Sequence, residues 1–247
     1  MEIVETLGRR AGPRGEVVLR RRSGSGPVVE ELIVNGAFAM DSSETFSERT
    51  LGALAVEAAT STTTGRPRLL VGGLGLGYTV SEILAVADKT EPEVHVDVVE
   101  IEACLIDWSR AAVTPTLAAV AADPRVHLHA ADIRSVLNRS RAVEYRNAEA
   151  ELRTHPFGPW DAIVLDVDNG PDFLIHGANH ALYVEPGLSA AYEQLAPGGT
   201  LAIWCQGQSA PLLDALRRIA PSARENLFDV TRGERRFAYA IYTASRT

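Results

Sequence analysis

Apolar residues recur along this chain in two rhythms, one of period two and one near 3.6, and their order predicts strands and helices in turn. Residues 16–22 and 28–34 alternate as short strands, and Asn35-Gly36 is the dipeptide favoured in a two-residue hairpin, so a small N-terminal β-meander is expected. Thr45 and Glu48 have the spacing of a capping box ahead of Leu51, Leu54, Ala55 and Ala58, which predicts a helix. A polar linker, 61–67, precedes the apolar run Leu69-Leu70-Val71, which breaks into glycines and resumes with helical spacing at Val80, Ile83, Leu84 and Ala87. That is a strand, a tight turn and a helix.

Further strands are expected at 94–100, 126–131, 161–166 and 200–205, with helices at 186–195 and 212–219. Residues 133–152, rich in Arg, Glu and Ala, read as one or two surface helices. Residues 227–231 and 235–243 complete the sheet as a hairpin in which Phe237, Tyr239 and Ile241 alternate. Strands alternating with helices imply an α/β fold with a mostly parallel sheet and a C-terminal antiparallel hairpin. The chain divides into residues 1–60, the meander and its connecting helix, and 61–247, a Rossmann-like domain.

The glycine turn carries the first chemical signal. Glycines let the backbone approach a ligand closely, and the helix behind them offers unpaired N–H groups and the positive end of its dipole. Such a turn cradles a nucleotide-like ligand. The dinucleotide pattern G-x-G-x-x-G is not met, because its third glycine falls on Tyr78 or Val80, and no Lys-Ser or Lys-Thr follows as in a phosphate loop. Gly73-x-Gly75-x-Gly77 resembles instead the first motif of Rossmann-like S-adenosylmethionine enzymes, whose ligand carries no pyrophosphate.

Acids mark the ends of the predicted strands. Glu100 lies 23 residues beyond Gly77, near the offset at which a carboxylate takes ribose hydroxyls; Glu102 follows, and strand phase decides between them. Asp132 ends the third strand, where it can accept the adenine amino group. Asp166 and Asp168 sit at the carboxyl end of the fourth, beside the ligand of the glycine turn, or else as caps of the loop that follows.

Composition narrows the partners. The 247 residues carry a net charge of −8, which argues against a non-specific grip on nucleic acid or anionic lipid. No transmembrane run or signal peptide is visible, so cytoplasmic residence is the expectation. The basic run Arg20-Arg21-Arg22 reads as a solvated strand edge. Cys104 and Cys205 lie in apolar surroundings and are expected as reduced, buried thiols. His127 and His129 alternate on one strand face but lack a third ligand at sensible spacing, and His176 and His180 have no neighbouring Glu, so no metal is expected.

The succession of a β-meander, Gly72-Gly73-Leu74-Gly75-Leu76-Gly77, Val98-Val99-Glu100-Ile101-Glu102, Asp123-Pro124-Arg125-Val126, Trp160 to Asp166, and Leu195-Ala196-Pro197-Gly198-Gly199-Thr200-Leu201 resembles the spermidine synthase family over nearly the whole chain. The resemblance implies a class I methyltransferase-like fold that binds S-adenosyl compounds; the polyamine members transfer an aminopropyl group from decarboxylated S-adenosylmethionine. It maps Gly73, Gly75 and Gly77 to the nucleoside loop, Glu100 to the ribose and Asp132 to the adenine, and it implies a homodimer.

The departures concern the amine site. The polyamine enzymes' Gly-Gly-Gly-Asp-Gly-Gly has Leu76 in place of its acid, their Asp-Ser-Ser-Asp-Pro becomes 166–171, and their substrate-binding Gln, Tyr and His become Met40, Phe46 or Ser47, and Arg49. Methyltransferase-like branches carry Asp-Val-Asp at this strand end, as here. The expectation is methyl transfer from S-adenosylmethionine to a small-molecule or protein nucleophile, with Asp168, or alternatively Asp166, orienting or deprotonating it. Aminopropyl transfer, from decarboxylated S-adenosylmethionine to a polyamine, and a non-catalytic nucleoside-binding or scaffold protein are the alternatives. The meander and the loop 168–183 are expected to cover the acceptor.

Overall fold

The computed structural model describes residues 2–63, 65–90, 93–138, 158–232 and 235–247. Four antiparallel strands, β1 (Ile3–Gly12), β2 (Gly15–Ser23), β3 (Val29–Val34) and β4 (Ala37–Asp41), form a first sheet in sequence order. The β3–β4 turn places Asn35 at φ 54° and Gly36 at φ 75°, the left-handed pair that a two-residue hairpin requires. β1 has no buried face, and so no alternation by which the sequence could reveal it. Arg20, Arg21 and Arg22 do not lie on an edge: β2 is an inner strand, and they pair with Glu31, Glu30 and Glu2 at 2.6–3.0 Å, holding β2 to β3 and to the chain's start.

The second sheet has seven strands in the order β10-β11-β9-β8-β5-β6-β7. Its parallel members are β5 (Arg68–Gly72), β6 (His95–Glu100), β7 (Val126–Ala130), β8 (Trp160–Leu165) and β9 (Leu195–Cys205); β10 (Arg224–Arg232) and β11 (Arg235–Ser245) form the antiparallel hairpin. The helices are α1 (Phe46–Thr62), α2 (Tyr78–Thr90), α3 (Ala103–Arg110), α4 (Pro115–Ala122), α5 (Ile133–Leu137), α6 (Glu185–Glu193) and α7 (Ala210–Ile219). Of the surface helices expected over 133–152, only α5 falls among the described residues. α6 stops before the expected 195, because the chain turns extended at Leu195 and enters β9, pairing first with Trp160 and then, after a register shift, from Thr200 onward with Ala162.

Strand alternation sorts the core into two layers. Leu69, Val71, Val96, Val98, Ala162 and Val164 face α1–α4, while Leu70, Val99, Ile163 and Leu165 face α5–α7. The first layer continues into Val17, Leu19, Leu32 and Val34 of the small sheet, so the meander is packed onto the larger unit through a shared apolar core. α1, grouped with the meander in the sequence reading, packs along α2 and the larger sheet. Cys104 and Cys205 are free and buried. No described helix is long and apolar enough to cross a membrane.

Candidate functional site

A cavity of about 320 Å³ opens at the carboxyl ends of the parallel strands, within the range of small-molecule sites. Its floor is the glycine turn between β5 and α2. Gly73 has φ +92°, and a Cβ there would fall 2.0 Å from the Asp166 carbonyl oxygen, so only glycine lets the turn run this close to the end of β8. Gly75, at φ +51°, lies beneath Met40, whose sulfur would be 2.6 Å from an added Cβ. Both glycines line the cavity; Gly77 does not, and its φ of +87° lets α2 start against α4.

Glu100 is wholly buried beside this turn. Its carboxylate accepts the Leu74 N–H at 2.8 Å and the Glu102 N–H at 2.7 Å, fixing the loop from below. Burial raises its pKa and these backbone donors oppose the rise. It reaches the cavity, with acceptor capacity left beside these donors. Glu102 lines the rim, where it pairs with Arg14 of the β1–β2 turn at 3.1 Å and stands 3.5 Å from His176.

The other predicted acids divide by what already holds them. Asp132 also lines the cavity, but its oxygens take the Arg134 backbone N–H at 2.9 Å and the Arg134 guanidinium at 2.6 Å, capping α5. Although burial opposes it, this pairing keeps the carboxyl below its usual range. Asp168 is buried and caps its own loop, accepting the Ile175 N–H at 2.6 Å and the Asn179 side-chain amide at 2.9 Å. Asp166 is held by a single described donor, the Thr79 hydroxyl at 2.7 Å, and burial lifts its pKa to about 6.

Glu48 completes the site and is absent from the sequence reading as a functional residue. Its capping-box spacing with Thr45 misleads, because the Thr45 hydroxyl takes Arg49 Nε instead, and Glu48 turns inward from α1 to line the cavity at 6% exposure. The Ser47 hydroxyl donates to it at 2.6 Å. Burial first, and the negative charge of Asp166 second, push its pKa to about 7. The available signal was position: Glu48 precedes Leu51 and Ala55 by three and seven residues, on the buried face of the helix.

The far wall is apolar and comes from three places: Leu32, Val34, Phe38, Ala39 and Met40 of the meander, Trp204 of β9, and Phe237 and Tyr239 of β11. Asn169, Ile175, His176 and Asn179 close it from the loop after β8, so the expected convergence of meander and loop is present. Of the positions matched to the amine-binding residues, Met40 lines the cavity. Phe46 is exposed against Phe228, and Arg49 lies over Tyr78 and pairs with Glu82. Leu76, at 1% exposure, points into the core.

No protein-family model and no curated protein matches the sequence. Among solved structures, the chain is similar to a probable spermidine synthase from Corynebacterium glutamicum, with TM-score 0.65 and 18% identity over 97% of this chain and 80% of that one. Human methyltransferase-like protein 13, solved with SAH, gives 0.45 at 20% identity over 81% and 80%. A precorrin-8W decarboxylase from Methanobacterium thermoautotrophicum gives 0.49 at 15% over 80% and 89%. The chain has the spermidine synthase fold. At these identities the likeness is one of fold, and the argument for chemistry rests on the site.

Proposed function

We propose that the protein is a transferase with an S-adenosyl donor, moving the methyl group of S-adenosylmethionine to an amine or hydroxyl of a small-molecule or protein acceptor. One observation supports this above the rest: a single cavity joins a glycine turn suited to a nucleoside with two carboxyls, Glu48 and Asp166, poised near neutrality. The cradle fits the donor, since added Cβ atoms at Gly73 and Gly75 would collide with their surroundings and Glu100 keeps free acceptor capacity at the cavity wall. Gly73, Gly75, Glu100 and the Asp132 edge would hold it, and when bound it supplies an electrophilic carbon on a sulfonium.

The chain's own part is positioning and proton transfer. Glu48, with a pKa near 7, takes the nucleophile's proton at neutral pH, and ionised Asp166 attracts a cationic centre on either ligand. Asp168 acts through the loop it caps, holding Ile175 and Asn179 against the acceptor side. The apolar wall excludes water around the acceptor.

A second reading, aminopropyl transfer from decarboxylated S-adenosylmethionine, is favoured by one observation. No Lys or Arg is among the described residues lining the cavity, whereas Glu48 and Asp166 offer the anion that Leu76 does not. Mass spectrometry of products formed from each donor with a metabolite extract separates the two. S-adenosylhomocysteine and an acceptor heavier by one methylene support methyl transfer; methylthioadenosine and an aminopropyl gain overturn it. Absence of a thermal shift across a nucleoside panel would remove both readings in favour of a scaffold.

A further inference from the structure

The sequence offers His127 and His129 no third ligand, but the sheet register does. β6 runs parallel beside the edge strand β7 with Asp97 opposite His127 and Val99 opposite His129, so His95, Asp97, His127 and His129 project from one face of two adjacent strands. None of them lines the cavity described above. We propose that His95, Asp97 and His127 form a binding site for one divalent transition-metal ion of the zinc type, tying the edge strand to its neighbour.

Three features carry the proposal, which is independent of the transferase reading. The ligand atoms of the three residues all lie within 4.8 Å of one another, and His95 Nε2 is 3.1 Å from Asp97 Oδ2. Donors around a tetrahedral ion with bonds of about 2.0–2.1 Å are separated by about 3.3 Å, so the first pair is already spaced and the exposed His127 ring has to close in on it. Second, His129 Nε2 lies 2.9 Å from the other oxygen, Asp97 Oδ1, and orients the carboxylate with Oδ2 towards His95. Third, two imidazoles and one carboxylate are a donor set suited to zinc, with a fourth position open to water on the exposed side.

The rings of His95 and His127 stack with centroids 4.3 Å apart at 25°, so the exposed His127 ring has to turn out of the stack for both in-plane nitrogens to reach one ion. The Arg68 guanidinium stands 3.9 Å from Asp97 Oδ2, beyond hydrogen-bond distance, and competes with the ion as a weaker charge partner.

Tag-free full-length protein, stripped with EDTA and dialysed, is titrated with Zn²⁺ against a chromophoric chelator. One equivalent bound with micromolar or tighter Kd is expected, with a rise in Tm that EDTA reverses. His127→Ala, a change at an exposed position, should weaken binding at least tenfold and remove the Tm response. Asp97→Asn, which keeps the side chain's shape, should do the same, and the exposed His180→Ala should leave both intact. Co²⁺ in place of zinc should give visible d–d absorption that His127→Ala lacks. No saturable binding, or equal affinity in wild type and His127→Ala, would overturn the proposal, as would equal losses in His127→Ala and His180→Ala.

Discussion

The two halves of the cavity use carboxylates in opposite ways. On the glycine-turn side, Glu100 accepts two backbone N–H groups and Asp132 accepts a backbone N–H and a guanidinium. Where the turn meets the acceptor wall, Asp166 and Glu48 each take one side-chain hydroxyl. A buried carboxylate whose oxygens are taken by donors of its own loop shapes the chain, whereas one held by a single hydroxyl keeps acceptor positions available for chemistry. By this criterion Asp168, tied to Ile175 and Asn179, groups with the shaping acids, and Glu48 is the better candidate base.

The comparison breaks first at the turn itself. Gly73→Ala should abolish donor binding, because its Cβ would meet the backbone of β8, which cannot yield; Gly75→Ala should be milder, since its Cβ meets the flexible end of Met40. Calorimetry with S-adenosylmethionine or methylthioadenosine compares them, and equal losses would show that close approach to β8 is not what selects glycine at 73. Glu48→Gln comes next: turnover should fall by about 10²–10⁴-fold, as for loss of a general base, with donor affinity nearly unchanged. Asp168→Asn should lower kcat/KM far less and act through the acceptor's KM; the reverse ranking of these two variants would return the base to Asp168.

Glu100→Ala should weaken the donor by about 1–3 kcal/mol, through hydrogen bonds lost to the ligand and to the loop, and affinity equal to wild type would dismiss its part in donor binding. An effect of similar size falls on stability. Burial raises Glu48 to about 7 and Asp166 to about 6, so between roughly pH 4 and 7 the folded chain holds more protons than the unfolded one. Stability contributed by these groups is therefore present at the acid end of that window and declines as pH rises through it. Relative to Glu48→Gln, the wild type should lose on the order of 2 kcal/mol between pH 4.5 and 7.5, read from urea midpoints at each pH. Parallel curves for the two proteins would show that Glu48 is not buried as an acid.

The strands of the larger sheet, the glycine turn and the acids at strand ends followed from the sequence because each is local: periodicity, turn chemistry and position after an apolar run are properties of a few neighbouring residues; the short helices α3 and α4 were not read. β1 was illegible because it is an edge strand with no fully buried residue, so no alternation marks it. Glu48 was misread because capping spacing and inward orientation are the same letters in sequence, and only the packing of α1 against α2 and the larger sheet decides which way the side chain turns. The state of each acid was beyond reach for the same reason, since the donors to Asp168 and Asp166 come from residues 7 and 87 positions away. The joining of His95 and Asp97 to His127 was likewise decided by strand register, which pairs residues about 30 positions apart that no spacing rule connects.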